Sequence, residues 1–497
     1  MFCGIDLGTS SLKCALIAED GTLLGRSRAP VGLYSRDGRW VAEPLEWLRA
    51  LAQAYAGAHT AAGRSGPGHD MTSDTLRAVA ISGNGPTLVP VGADGLPAGP
   101  ALSWMDRGAT AEAATVSTLA GRVVDPSFYL PKALRARAET GTPIARFFSG
   151  PEYLAFLLGA RPVSYLADPR YDQYIWDLAV LEKLGMDPGM VPGYVAPATV
   201  IGSVSHKAAE AVGLPAGLPI VSAFPDFLAA LVGSGTVRTG IACDRAGSSE
   251  ALNVCADTPF GDASIFSLPH AIPGKWNLSG GLSTSGKALE WFSAVAGYSG
   301  MGADTVYQDA GKGVRRDDDP LFVPYLAGER APLWNRDLRG AFLGLSVGHT
   351  RHDMARAVVE SLVFGLRLVA DTIRDGGFPV DVIRCTGTPA RDDAMNTLKA
   401  DSLGVCVEVP AIMEAETLGD ACVCAVALGD RKNLLEASLA MTRTATVFEP
   451  EPARTRAQQD RYLRWLDALD AATGFAAAAD GRTRTAPDRS TGTGHSR

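Results

Sequence analysis

The chain has 497 residues, 46% of them hydrophobic and 20% charged, which describes an ordinary globular protein long enough for more than one core, so two lobes are expected. Its net charge of −8 argues against nucleic acid or an anionic membrane surface as the main partner. The eight cysteines form no CxxC pair, and His349 and His352 lack a cysteine or acidic partner at ligand spacing, which speaks against a disulfide frame or a zinc site. With no basic segment leading into an apolar run, and no apolar stretch of about 20 residues, a cytoplasmic, membrane-free protein is expected.

In chain order, "MFCGIDLGTSSLKCALIAEDGTLLGRSRAP" reads as three short strands: a run to Ile5, a second from Leu12 to Ala18 and a third from Leu23 to Arg28. Gly8-Thr9-Ser10-Ser11 and Asp20-Gly21 punctuate them as hairpin turns. Such a meander differs from a Rossmann unit, whose first strand feeds a helix. "LRAVAISG" (Leu76 to Ser82) is a buried strand, followed by "GPTLVPV". The segment 126–181 is mixed, with helical patterning in "PEYLAFLLG". "LPIVSAF" (Leu218 to Phe224) is again strand-like, and a helix is expected from Phe227.

The second half opens in the same manner. "RTGIACDRAGSSEALNVCAD" places two apolar runs around a Gly-Ser-Ser turn, so that Asp244 before Gly247-Ser248-Ser249 echoes Asp6 before Gly8-Thr9-Ser10. The echo is short enough to arise by chance; if real, it makes the chain two related halves whose hairpin tips face a shared cleft. "TRHDMARAVVESLVFGLRLVADTIRDGG" carries Met354, Ala357, Val358, Ser361, Leu362, Gly365, Leu366 and Val369 at helical spacing. Thr350 and Asp353 fit a capping box, and Gly376-Gly377 ends the helix. "VDVIRCTGTPARDDAMNTLKADSLG" reads as strand, glycine turn, helix, and "GFAAAADGRTRTAPDRSTGTGHSR" shows no apolar period and is expected to be disordered.

Two stretches raise chemical questions. The Gly-Thr-Ser-Ser tip exposes backbone N–H groups and hydroxyls suited to phosphate oxygens. Asp6 beside it could hold a divalent metal through water, and Lys13 could neutralise phosphate charge. The alternative is a turn that only joins two strands. In "LPIVSAFPDFLAALVGSG", Asp226 is the lone carboxylate of an apolar run, costly unless it is capped, paired or used. As a helix N-cap it would contribute about 1 kcal/mol and no chemistry.

Taken together these stretches resemble the FGGY family of carbohydrate kinases, in the hexokinase-and-actin superfamily, from Gly4 to about Gly429. "GIDLGTSSLK" is similar to its first phosphate loop, "GRWVAEPLEWL" to its early tryptophan-rich segment, and "ALSWMDRGA" to its substrate-side motif. "CDRAGSSEAL" resembles the second phosphate loop, "GAFLGLSVGHTRHDMARAVVE" the C-terminal signature, and "TGTPARDDAMNTLKADSLG" the adenosine segment.

The resemblance implies an α/β fold of two ribonuclease-H-like lobes around a cleft, with an N-terminal lobe over 1–240, a C-terminal lobe over 241–475 and a tail over 476–497. It implies ATP and Mg2+ as cofactors, a small sugar or polyol as substrate, a ketopentose first by likeness to xylulose kinases, and dimers. Asp226 would be the general base, and Asn84, Trp104, Asp106 and Asp226 would bind the sugar. Gly8, Thr9, Ser10, Lys13, Gly247, Ser248, Ser249, Gly387, Thr388 and Asn396 would bind ATP, with Asp6 at the metal. The chain departs from the family pattern in three places. Gly108 stands where an arginine is usual two residues beyond the motif aspartate. "AISGNGPTLV" lacks the histidine found in xylulose kinases, which implies a changed pocket wall, and there Asn84 is either a turn residue or a ligand contact. Pro389 replaces a common glycine. Arg245 is either a phosphate clamp or part of a salt bridge. The alternatives are a catalytically weakened regulatory binder and an acyl kinase of the same superfamily, which would need no base.

Overall fold

A computed structural model describes residues 1–36, 38–64, 76–298, 303–312 and 315–480. The expected N-terminal meander forms: strands Phe2–Leu7, Ser11–Ile17 and Leu23–Pro30 pair antiparallel. Ala78–Gly83 joins parallel to the first strand, Pro219–Val221 joins parallel to that, and Val200–Ser203 closes the six-stranded sheet antiparallel. Every residue from Phe2 to Leu7 is buried, because this central strand is covered rather than facing water on one side.

The second half repeats this plan. Ile241–Ala246, Glu250–Ala256 and Trp276–Leu282 form an antiparallel meander. Val382–Gly387 and Cys406–Pro410 extend it in parallel, within a seven-stranded sheet. The echo of Asp6 in Asp244 is therefore a structural one: each acid lies on the central strand of its sheet, just before a hairpin tip. The long helix runs Arg351–Asp375, and its capping box is present, with Thr350 N–H donating to Asp353 Oδ2 at 2.8 Å.

A smaller five-stranded sheet stands beside the first lobe. It is built from Tyr34–Arg36, Arg39–Ala42, Ala101–Leu102, Leu88–Val91 and Arg146–Ser149. Helices Thr110–Ala120 and Tyr129–Glu139 accompany it, around a core that includes Val41, Leu88, Leu130, Phe147 and Trp176.

Three details differ from expectation. "LPIVSAF" is strand only over Pro219–Val221, and the next helix starts at Asp226, not Phe227. The last helix extends over Pro452–Asp480, so 476–480 is helical where a disordered tail was expected; the rest of that tail lies outside the described residues. Alanine has the strongest intrinsic helix preference but contributes little to an apolar period, so the pattern was hidden even though Ala472 and Ala476 are each only 8% exposed. Finally, helix Ala415–Ala427, late in the sequence, packs on strand Phe2–Leu7 and helix Asp226–Gly233, and its Leu418, Ala421 and Val423 belong to the first lobe's core.

That last contact is backbone against backbone. A Cβ at Gly419 would lie 2.1 Å from the Ala229 carbonyl oxygen, and one at Gly233 would lie 1.8 Å from that of Ala415. Gly419→Ala is expected to lower stability by about 1–3 kcal/mol through overpacking, read as a lower urea midpoint; an unchanged midpoint would show that the helices can part freely.

Candidate active site

Hairpin register builds the first loop. Asp6 and Lys13 are cross-strand partners, and Lys13 Nζ lies 2.9 Å from Asp6 Oδ2 and 3.6 Å from Glu416 Oε2. Burial pushes the Asp6 carboxyl up to about 6, with Glu416 and Asp226 adding to the rise and Lys13 opposing it. Burial disfavours the Lys13 ammonium, but Asp6 and Glu416 outweigh it and hold the group charged above its ordinary range. Asp6 Oδ1 is buried without a hydrogen-bond partner. Beyond Asp6 the turn carries Gly8, Thr9 and the exposed Ser10, and Gly8 N–H donates to Asp6 O and Ser11 O at 3.1 Å each.

The second loop presents Gly247, Ser248 and Ser249, all exposed. The N-terminus of helix Ser285–Val295 supports it, as Gly286 and Lys287 N–H groups donate to the Gly247 and Ser248 carbonyls at 3.1 Å each. Beneath lies a wholly buried set that the sequence did not reveal. Lys399 Nζ is bonded to Asp244 Oδ2 and lies 2.9 Å from Glu250 Oε1, and Ser285 Oγ donates to Glu250 Oε2 at 2.6 Å. Burial, reinforced by Glu250 and opposed by Lys399, pushes Asp244 up to about 7.

The adenosine turn begins at Gly387, whose φ of +86° and close approach to the Ala246 carbonyl, 2.0 Å from a Cβ, admit only glycine. Thr388 is exposed. Pro389 sits in the first turn of the short 3-10 helix Thr388–Arg391, where a missing N–H costs no internal bond. Asn396 is wholly buried and donates through Nδ2 to Ala390 O at 2.9 Å, holding the turn from beneath.

Asp226 is the first residue of helix Asp226–Gly233, after Pro225, which bridges Gly83 and so brings the helix to the ends of the central strands. Its Oδ1 accepts from Phe227 N–H at 2.7 Å, and its Oδ2 accepts from Arg245 Nη2 at 2.8 Å. Arg245 also reaches Glu416 Oε1 at 3.1 Å. The lone carboxylate is thus paired rather than a cap. A continuous alternation of charge, Asp6–Lys13–Glu416–Arg245–Asp226, joins the two phosphate loops to it. Glu416 stays below the ordinary carboxylate range because Lys13 and Arg245 together outweigh the effect of its burial. Helix-start acids are common, so nothing in the sequence marked Glu416.

Of the residues expected at the sugar, Trp104 and Asp106 follow strand Ala101–Leu102 of the smaller sheet, and Asn84 follows strand Ala78–Gly83 of the six-stranded one. A narrow pocket is lined by Leu7, Gly8, Thr9, Trp47, Asn84 and Ser103, among others. Asn84 donates through Nδ2 to Leu7 O at 2.9 Å and accepts from Thr87 Oγ1 at 2.5 Å. Trp104 is 42% exposed, and its Nε1 donates to Thr9 Oγ1 at 2.9 Å, tying this wall to the first phosphate loop. Asp106 is buried; Oδ1 accepts from Gly108 N–H at 3.1 Å and Oδ2 lies 3.6 Å from Arg39 Nε. A Cβ at Gly108 would meet Arg135 Nη1 at 2.2 Å, so a guanidinium from helix Tyr129–Glu139 fills the side-chain space there. Lys132 of the same helix is wholly buried, and its ammonium donates to the carbonyls of Pro86, Leu102 at 3.3 Å and Ser103 at 3.1 Å. Burial pushes it down to about 7.

Two sheets of one repeated plan, each ending in a hydroxyl-bearing hairpin, define a two-lobed α/β fold of the actin/hexokinase-like class. Residues 1–144 match the N-terminal domain of the FGGY family of carbohydrate kinases, and residues 245–428 match its C-terminal domain. The chain belongs to this family and is an ATP-dependent carbohydrate kinase. It is 24% identical over 465 residues to a xylulose kinase of Staphylococcus epidermidis, covering 90% of this chain and 92% of that one. To a gluconokinase of Bacillus subtilis it is 25% identical, covering 84% and 86%. The crystal structure of a ligand-bound xylulose kinase from Lactobacillus acidophilus shares the fold, with a TM-score of 0.80 at 20% identity over 96% of this chain and 99% of that one. No helix among the described residues is long and apolar enough to cross a membrane.

Two outcomes follow from this geometry. Lys132→Met should leave three carbonyls unpaired and loosen the sugar wall, raising the sugar KM by about 10-fold or more while the ATP KM stays within about 3-fold; steady-state kinetics in both substrates decides. Asp6 binds its proton more tightly in the folded chain than in the unfolded one, so the stability it lends is full below about pH 4 and is lost as pH rises through about 6. Asp6→Asn should therefore melt no lower than wild type at neutral pH, yet lose turnover by about 100-fold or more; a lower melting temperature with activity kept would reverse this assignment.

Proposed function

We propose that this kinase phosphorylates a hydroxyl of a ketopentose or closely related polyol, with Asp226 as general base. The observation that carries the reading is the position of Asp226. It heads a helix at the ends of the central strands, linked by the ion-pair chain to the first phosphate loop and by Arg245 to the strand that leads into the second. Asp226 takes the hydroxyl proton as the γ-phosphoryl group transfers. The two hairpins hold the phosphates, Lys13 offsets their charge, and the Gly387-Thr388 turn receives the adenosine. Trp104, Asp106 and Asn84 form the sugar wall.

Asp6 fits a Mg2+ ion, because its Oδ1 is a carboxylate oxygen without a partner. Among the described residues no group of three or more His, Cys, Asp or Glu side chains could cage a metal, as expected for an ion held chiefly by phosphates and water. Bound Mg2+ would neutralise charge on the β- and γ-phosphate oxygens. We place the protein in the cytoplasm, since all eight cysteines are free and Cys3 and Cys14, with sulfurs 3.6 Å apart, share a thiol hydrogen bond rather than a disulfide.

A second reading, an aldonate as substrate, draws on Arg39 and Arg135 beside Asp106. Both guanidiniums are bonded to Glu139, while Arg39 Nε and Nη2 have no hydrogen-bond partner, so the aldonate is tested beside the uncharged sugars. The experiment is ADP release with Mg-ATP across ketopentoses, ketohexoses, polyols and aldonates, on wild type and Asp226→Asn. Ketopentose turnover should fall by about 10²–10⁴-fold in the variant; turnover that survives the substitution would remove Asp226 from the chemistry.

A further inference from the structure

We propose that Arg245 is a catalytic residue: its guanidinium stabilises the γ-phosphoryl group in transfer, besides positioning Asp226. The inference rests on the phosphoryl-transfer reading above, but on its nucleotide side rather than on the identity of the acceptor.

Position comes first. Arg245 belongs to the strand Ile241–Ala246 that runs into the second phosphate loop, two residues before Gly247. Its side chain crosses to the first lobe and ends on Asp226 Oδ2. It therefore spans the gap between the loop that holds phosphate and the carboxylate that receives the hydroxyl proton, the path along which the phosphoryl group travels. Nε and Nη2 are taken by Glu416 and Asp226, while Nη1 makes no hydrogen bond to the described residues. With 32% of the side chain exposed, the guanidinium is not sealed into the protein. A planar guanidinium suits this double duty, because its donors fork in fixed directions and it keeps its protons at any working pH.

Charge makes the same demand. Three carboxylates, Asp6, Asp226 and Glu416, face two cations, Lys13 and Arg245. A γ-phosphoryl group approaching Asp226 meets like charge, and Lys13 lies on Asp6 at the other end of the chain. Arg245 is the cation in contact with the base, so it is the one that can relieve that repulsion. In the step itself the acceptor oxygen bonds to Pγ while its proton passes to Asp226. The bond from Pγ to the bridging oxygen breaks with its electron pair leaving on ADP, and Arg245 neither gains nor loses a proton.

Calorimetry with Mg-ADP, alone and with aluminium fluoride as the mimic of the transferring group, tests this on wild type, Arg245→Lys and Arg245→Gln. Mg-ADP affinity alone should change by less than about 3-fold in both variants, which also reports an intact fold. The extra affinity conferred by fluoride should fall by about 10-fold or more in Arg245→Gln and be partly restored in Arg245→Lys. The kcat should drop by about 10²–10³-fold in Arg245→Gln with the sugar KM little moved. A fluoride gain equal to wild type in Arg245→Gln would overturn the proposal and leave Arg245 as a positioning residue only; equal losses for Mg-ADP with and without fluoride would overturn it too. If wild type phosphorylates no ketopentose while its fluoride gain still depends on Arg245, the acceptor reading falls and this one stands.

Discussion

The alternating chain Asp6–Lys13–Glu416–Arg245–Asp226 is the constraint on which the rest of the structure depends. Its members come from two hairpins and two helices, separated by as many as 410 positions from Asp6 to Glu416, and Asp6 and Glu416 are almost wholly buried. Removing charges from water costs several kcal/mol each unless opposite charges and hydrogen bonds compensate. The alternation supplies that compensation. Glu416 sits between the two cations because helix Ala415–Ala427 lies against helix Asp226–Gly233, and this contact requires glycine at both 233 and 419. A packing detail with no chemistry of its own thus sets the position of the Asp226 carboxylate.

The two lobes show how one plan can serve different ends. Each places an aspartate on a central strand ahead of a hairpin tip. In the first, Asp6 keeps one oxygen without a partner and is raised only to about 6. In the second, Asp244 is bound to Lys399, which also holds Glu250, and Glu250 in turn accepts from Ser285 at the head of the helix supporting the loop. Each acid keeps one buried oxygen without a hydrogen-bond partner, but the lysine on Asp6 is 33% exposed and the lysine on Asp244 only 3%. Strands of one plan therefore carry one ion pair open at its lysine and one sealed beneath its loop.

What was legible in the sequence was local. Hairpin turns, the strand period, the Thr350–Asp353 cap and the echo of Asp6…Gly8-Thr9-Ser10 in Asp244…Gly247-Ser248-Ser249 each fit within a few neighbouring residues, and each corresponds to an observed element. The ion-pair partners were not legible, because their meaning lies across long separations: Arg245 to Glu416 spans 171 residues and Asp244 to Lys399 spans 155. Lys132, in "YLPKALRARAE", reads as an ordinary solvated helix cation, and only three converging carbonyls reveal its role. Gly108 reads as a missing arginine, whereas in space Arg135, 27 positions later, occupies the vacated volume.

The same long-range logic applies to the smaller sheet. The two hairpins are built on the large sheets, where a change of side chain disturbs a buried core. The smaller sheet has its own core and meets the first hairpin at particular points. One of those points is the Trp104–Thr9 hydrogen bond, and another is Asn84, whose amide is held by Leu7 at the end of the first strand. Anything that stacks on Trp104 therefore acts on the Gly8-Thr9 turn through that hydrogen bond. Through these two links a change in the smaller sheet reaches the first hairpin without passing through the core of either large sheet.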